Sequence, residues 1–235
     1  MVKQGRAPRS PPLSLTCQAS WNRAHQRGWS SGWRPASWAT NAQLKHGGIL
    51  VSLPRAFFAR PPADVAHDLI GSTLVVDGAG GMIVETEAYD HEDPASHSYV
   101  GRTARNASMF GPPGHAYIYR SYGLHWCLNF VCGAEPLGSA VLIRALEPAV
   151  GVDLMRQRRR SVGLRLLCSG PGRLTQALGV TGTLDGQPLD QPPFSVLPGA
   201  AEVPVVSGPR IGITRGAETP WRFGLAGSVF LSRRF

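Results

Sequence analysis

Apolar and polar positions alternate in short runs along most of this chain, and the patterned part begins near residue 52. In residues 51–71, Pro62 can open a short helix whose Val65, Ala66 and Leu69 share one face and which Gly71 ends. Residues 73–77 (TLVVD) and 82–89 (MIVETEAY) read as two strands of a hairpin joined by the turn GAGG. Residues 117–132 form a second hairpin candidate that reverses at Tyr122-Gly123, and residues 140–145 give a further apolar strand. Residues 156–167 are basic with helical spacing, and GPGRLTQALG opens a short helix at Pro171-Gly172 that closes at Gly179. The last segment offers short strands, VPVV, RIGIT and RFGLAG, punctuated by Pro and Gly. No internal repeat interrupts the series. The pattern predicts a single α+β domain over residues 52–235 of hairpins and short helices.

Residues 1–50 lack this periodicity. They are rich in Arg, Ser, Pro and Trp, which predicts a disordered basic tail. An Arg- and Ser-rich, acid-poor leader also fits a transit peptide, and a start at Val51 would leave the segment upstream of the protein.

Charge changes the picture less than its total suggests. The net charge is +9, yet the first acidic residue is Asp64. Nine basic residues precede it, Lys3, Arg6, Arg9, Arg23, Arg27, Arg34, Lys45, Arg55 and Arg60, leaving fifteen basic and fifteen acidic residues afterwards. The patterned region is therefore formally neutral, and overall basicity is weak evidence for nucleic-acid binding. Lys3 and Lys45 are the only lysines, so the patterned region has no amine nucleophile and Schiff-base chemistry is not expected of it. Cys17, Cys127, Cys132 and Cys168 show no zinc or iron–sulfur spacing, which suits a reduced intracellular protein. No apolar run is long enough to span a membrane. Neither a cofactor nor a membrane partner is expected.

Candidate chemistry concentrates after the first hairpin. On strict alternation, Ile83, Glu85, Glu87 and Tyr89 share one face of the second strand, with the two carboxylates about 7 Å apart. A solvated polar face would look the same, and alternation does not separate Glu85 from Glu87. His91, Asp93 and His97 follow in a loop and admit a metal-site reading.

The stretch VETEAYDHEDPASHSYVGRTARNASMFGPPGHAYIYRSYGLHWCLN, followed by VLIRALEP, SGPGRLTQALG and PRIGITRGAETPWRF, resembles the human-type alkyladenine (3-methyladenine) DNA glycosylases. The resemblance covers about residues 52–230. For the fold it implies a curved, mostly antiparallel sheet, flanking short helices and a protruding β-hairpin. It implies an enzyme of base-excision repair that binds duplex DNA, rotates a damaged purine into a pocket and hydrolyses its N-glycosidic bond with a water activated by a carboxylate. It selects Glu87 as the general base and Arg144 as the arginine that helps hold the water. Tyr89 and Tyr119 become aromatic walls, and His97 closes the pocket, its backbone amide available to the base edge. Asn129 crowds the 2-amino position of guanine, and Met109 packs near the flipped nucleotide. Tyr122 becomes the wedge inserted through the minor groove, flanked by Leu124 and His125. Arg102 and Arg105 are implied phosphate contacts, with the segment 156–165 and the amides opening the SGPGRL helix as further candidates.

The resemblance further implies a monofunctional enzyme without strand cleavage, acting on the class of 3-methyladenine, 7-methylguanine, hypoxanthine and ethenoadenine, and a monomer. Its location would be the cytoplasm and nucleoid of a bacterium, or the nucleus or an organelle of a eukaryote. The alternatives are a non-catalytic nucleic-acid-binding module of the same fold and a metal-dependent hydrolase using His91, Asp93 and His97.

Overall fold

A computed structural model describes residues 51–160, 163–199 and 202–235, so the expectations for residues 1–50 lie outside the described residues. Eight strands form one antiparallel, curled sheet: β1 (Thr73–Val76), β2 (Ala79–Tyr89), β3 (Ala116–Ser121), β4 (His125–Cys132), β5 (Ser139–Val150), β6 (Phe194–Leu197), β7 (Val205–Gly208) and β8 (Arg222–Leu225). The order is β3-β4-β5-β2-β1-β6, with β8 also on β2 and β7 on β8. β2 is the organising strand. β5 covers one edge from Gly80 to Tyr89, while β1 and then β8 share the other.

Among the described residues, four short helices pack on this sheet: α1 (Arg55–Phe58), α2 (Pro62–Asp68), α3 (Val152–Arg158) and α4 (Pro171–Leu178). α2 buries Val65 and Ala66, with Leu69 at its C-cap also buried, as the spacing predicts. α4 buries Leu174, Ala177 and Leu178, and Gly179 ends it in the left-handed conformation (φ 73°) that a glycine adopts without steric penalty. These side chains join Ile83, Ala88, Leu128, Phe130, Ile143 and Leu146 from the sheet in one core. Each fully buried Leu or Ile contributes about 1.5–3 kcal/mol by removal from water.

Several local expectations are corrected. The first hairpin does not turn over all of GAGG. Asp77 and Gly78 both take positive φ (44° and 76°), a tight two-residue reversal, so Ala79, Gly80 and Gly81 continue β2. The helix expected over 156–167 ends instead at Arg158, with Arg160 at positive φ (53°) and a 3-10 turn at Leu164–Leu166. RIGIT is a loop, and β6 replaces it as a strand the pattern did not announce. The second hairpin turns where expected. Tyr122 and Gly123 have φ 48° and 68°, and the Leu124 amide donates to the Ser121 carbonyl at 2.9 Å.

The most consequential correction concerns β2. Strict alternation would put Ile83 on the face of Glu85, Glu87 and Tyr89. Ile83 instead faces the main core beside Leu146, while Val84 joins a separate cluster with Ala145 and Phe230. The pairing slips between Ile83 and Glu85, where Val84 is the extra residue on β2. It slips back between Glu85 and Thr86, where Arg144 is the extra residue on β5. Two compensating bulges therefore change the phase of alternation. Without the first, the carboxylates would share the face of Ile83 and point into the hydrophobic core.

Candidate active site

Beyond the bulges the register aligns one residue per strand on a common face. Tyr117 lies opposite Asn129, Asn129 opposite Leu142, Leu142 opposite Glu87, and Glu87 opposite Arg222. Directly opposed residues of antiparallel strands point the same way, so this row runs across β3, β4, β5, β2 and β8. Tyr119 and Tyr89 flank it two residues along their strands.

Glu87 is fully buried. Its Oε1 accepts from the Ile211 amide at 2.7 Å. Its Oε2 accepts from the Tyr89 hydroxyl at 2.9 Å and from Arg144 Nη1 at 3.0 Å. Burial and the adjacent Glu87 charge hold the Tyr89 phenol well above its ordinary pKa, so it stays a donor. Arg144 is forked between two carboxylates, with Nε donating to Glu85 Oε1 at 3.1 Å. Burial opposes its charge, but Glu87 and Glu85 outweigh burial and raise its pKa.

Glu85 is also fully buried but differently occupied. Besides Arg144 it accepts from Arg222 Nε at 2.8 Å, from the Ser232 hydroxyl at 2.8 Å and from the Ser232 amide at 2.5 Å. Four donors saturate it, two of them from the C-terminal segment. The geometry thus separates the two carboxylates that alternation leaves equivalent: Glu85 is a structural anchor, and Glu87 adjoins the aromatic cluster.

That cluster contains Met109, Tyr117, Val131 and Ala140, with Tyr89, Phe110 and Tyr119 packed on it. The rings of Tyr117 and Tyr119 stack at 5.5 Å, and His97 stands edge-on to Tyr119 at 4.4 Å. His97 Nδ1 and the Tyr117 hydroxyl are hydrogen-bonded at 2.8 Å. Burial, then the charge of Arg105, lowers the His97 pKa, which favours the neutral ring. Asn129 donates from Nδ2 to the Tyr117 carbonyl at 3.0 Å. Of the candidates from sequence, Glu87, Arg144, Tyr89, Tyr119, His97, Asn129 and Met109 therefore lie together.

The remaining candidates sit on the rim. Tyr122 is 87% exposed at the hairpin tip and Leu124 is 78% exposed. Arg102 and Arg105 are exposed, and Arg105 Nη2 donates to the Arg120 carbonyl at 3.0 Å, tying its loop to the hairpin. The loop is shaped by buried Asn106, which donates to the His97 and Gly101 carbonyls and accepts from Thr103. His125 packs against the first turn of α4, where a Cβ on Gly172 would lie 2.6 Å from its ring. An open cleft of about 310 Å³ lies there, lined by His125, Arg159, Arg173, Ser169 and the start of α4.

The metal reading does not assemble. Asp93 forms a two-point ion pair with Arg210, and His97 is engaged with Tyr117. Among the described residues, the grouping with metal-compatible spacing is instead Asp90, His91 and Glu92 at the surface.

Sequence reasoning missed Tyr117, Ile211, Arg210, Arg222 and Ser232. Tyr117 carried a usable signal, since it alternates with Tyr119 on β3. The others come from the last thirty residues, far along the chain from Glu87; Arg210, Ile211 and Arg222 lie in the closing motif PRIGITRGAETPWRF, which marks the segment without pairing any of its residues with Glu85 or Glu87.

The family model described as methylpurine-DNA glycosylase matches residues 56–229. The chain belongs to that family. It is 62% identical over 185 residues to a protein of Nitrosospira multiformis, covering 79% of this chain and 96% of that one. It is 60% identical over 184 residues to one of Granulibacter bethesdensis, with 77% and 87% covered. It is 58% identical over 183 residues to one of Bradyrhizobium diazoefficiens, with 78% and 92% covered. Each of these relatives bears the name "Putative 3-methyladenine DNA glycosylase". All three are bacterial.

Proposed function

We propose that this protein is a monofunctional DNA glycosylase of base-excision repair. It flips alkylated or deaminated purines out of duplex DNA and hydrolyses their N-glycosidic bond with a water activated by Glu87. The observation that carries the reading is the contrast between the two buried carboxylates. Glu85 is consumed by four donors, whereas Glu87 sits at the edge of the aromatic cluster, held by Ile211, Tyr89 and Arg144.

The roles follow from the chemistry. A base stacked in DNA is inaccessible, and extruding it costs a few kcal/mol of stacking. Tyr122, raised on a stiff reversal and buried against nothing, is suited to fill the vacated space, with Leu124 beside it. Tyr89, Tyr119 and His97 receive the base between aromatic faces, and the His97 amide meets its edge. Asn129 and Met109 limit its shape, so an added 2-amino group meets a buried side chain instead of water. Glu87 takes the proton of the attacking water, and its charge stabilises the oxocarbenium-like transition state. Arg144 holds Glu87 and the water in register. No lysine follows Lys45, so water is the simplest nucleophile and no covalent imine forms. Arg102 and Arg105 engage phosphates near the hairpin. The cleft with His125, Arg159 and Arg173 takes a further phosphate.

The test is release of free base from duplexes holding hypoxanthine, ethenoadenine or 7-methylguanine. Wild-type protein releases base and leaves the strand intact; Glu87→Gln keeps DNA binding and loses release. Undiminished release by Glu87→Gln removes the residue from the role, and binding without release by the wild type leaves a DNA-binding module.

A further inference from the structure

Arg210 has a fully buried side chain. Its guanidinium carbon stands 4.7 Å from the Tyr89 ring centroid and 5.5 Å from that of Trp221. Nη1 donates to the Ala88 carbonyl at 2.9 Å, and Nη2 donates to the Gly216 carbonyl at 3.0 Å. Both Nη atoms contact the Asp93 carboxylate, Nη2 to Oδ1 at 3.0 Å. Nε has no hydrogen-bond partner among the described residues, which suits a cation whose remaining neighbours are ring faces. Tyr89 is partly exposed while Arg210 is not. Arg210 covers one face of the Tyr89 ring, and on the glycosylase reading the base stacks on the other.

A stacked base would lie roughly 8 Å from the guanidinium, the 4.7 Å to the ring plus a further van der Waals spacing of about 3.5 Å. Across that distance a buried unit charge is felt. A positively charged base, such as one methylated at N7, is repelled by an unbalanced cation behind the wall, and a neutral one is not. Asp93 balances it, being in contact with both Nη atoms.

We infer that the Arg210–Asp93 pair behind Tyr89 governs selection between positively charged and neutral damaged purines. Paired, the two charges nearly cancel, and the wall accepts both classes; either charge alone biases it. The inference rests on the glycosylase reading above and deepens it.

The experiment compares half-saturating enzyme concentrations in single-turnover base release. One duplex carries 7-methylguanine and the other ethenoadenine. Asp93→Asn leaves the guanidinium unbalanced, and its ratio of half-saturation values, 7-methylguanine over ethenoadenine, rises on the order of tenfold. Arg210→Gln leaves the carboxylate, and the ratio falls. The double substitution removes both charges and restores the wild-type ratio. These opposite signs keep the proposal testable if one single variant fails to melt cooperatively. A common loss on both duplexes with the ratio unchanged in a folded variant makes the pair a structural support of Ile211 and Glu87 and overturns the inference. An unchanged ratio in either folded single variant, or the same shift in both, overturns the inference. Failure of the wild type to release either base refutes the glycosylase reading, and this inference with it.

Discussion

Replacing Glu85 with Gln tests the separation of the two carboxylates most sharply. Glu85 Oε1 accepts from Arg144 Nε, Arg222 Nε and the Ser232 hydroxyl, and Oε2 accepts from the Ser232 amide. A glutamine can keep its carbonyl at the first position only by turning its NH2 onto the Ser232 amide, donor against donor. One buried donor is then unsatisfied, at about 1–3 kcal/mol. The lost charge also leaves Arg222 without its carboxylate. Breaking a buried pair by removing one partner costs about 3–5 kcal/mol, and this larger figure contains the first. At roughly 2–4 °C per kcal/mol for a domain of this size, Tm falls by about 6–20 °C. Glu87→Gln leaves Arg144 paired with Glu85, so its melting shift is the smaller. In activity the order reverses. At a temperature where both variants are folded, Glu85→Gln retains measurable base release and Glu87→Gln does not. Thermal melting by circular dichroism and single-turnover release at 25 °C give the two readouts. Wild-type melting of Glu85→Gln, combined with loss of release as deep as that of Glu87→Gln, would refute the assignment and exchange the roles.

Other outcomes follow from the rim and the pocket. Tyr122→Ala changes stability by less than about 0.5 kcal/mol, because the side chain is 87% exposed, yet it lowers base release by slowing flipping; a melting curve and a single-turnover assay check the pair. Arg173→Ala weakens binding to damaged and undamaged duplexes alike, and the slope of log K against log salt becomes shallower by about one unit in a fluorescence titration. His97 has a folded pKa below its ordinary value of 6.5, from burial and then from Arg105. The unfolded chain therefore binds more protons between those two values, and His97 lowers stability as pH falls from 6.5 through the folded pKa. Tm measured against pH should show that acid loss in the wild type and a shallower one in His97→Gln.

Sequence alone determined the elements whose causes are local. Pro62, Pro171 and Gly179 marked helix ends, and Tyr122-Gly123 marked a hairpin reversal, because backbone preferences act within a few residues. Ordered motifs then identified the family and pointed to Glu87, Arg144, Tyr89 and Asn129. Tertiary structure decided how the two carboxylates are occupied: Glu85 by four donors, Glu87 by three beside the aromatic cluster. Alternation counts residues along one strand, and it cannot register a bulge whose compensating partner, at Arg144, lies on another strand. Beside Arg144 and Tyr89, the donors to Glu85 and Glu87 are Ile211, Arg222 and Ser232, more than 120 residues away along the chain. Nothing in those residues' local sequence announces the contact. It exists only because β8 and the C-terminal segment close against β2 once the sheet has formed.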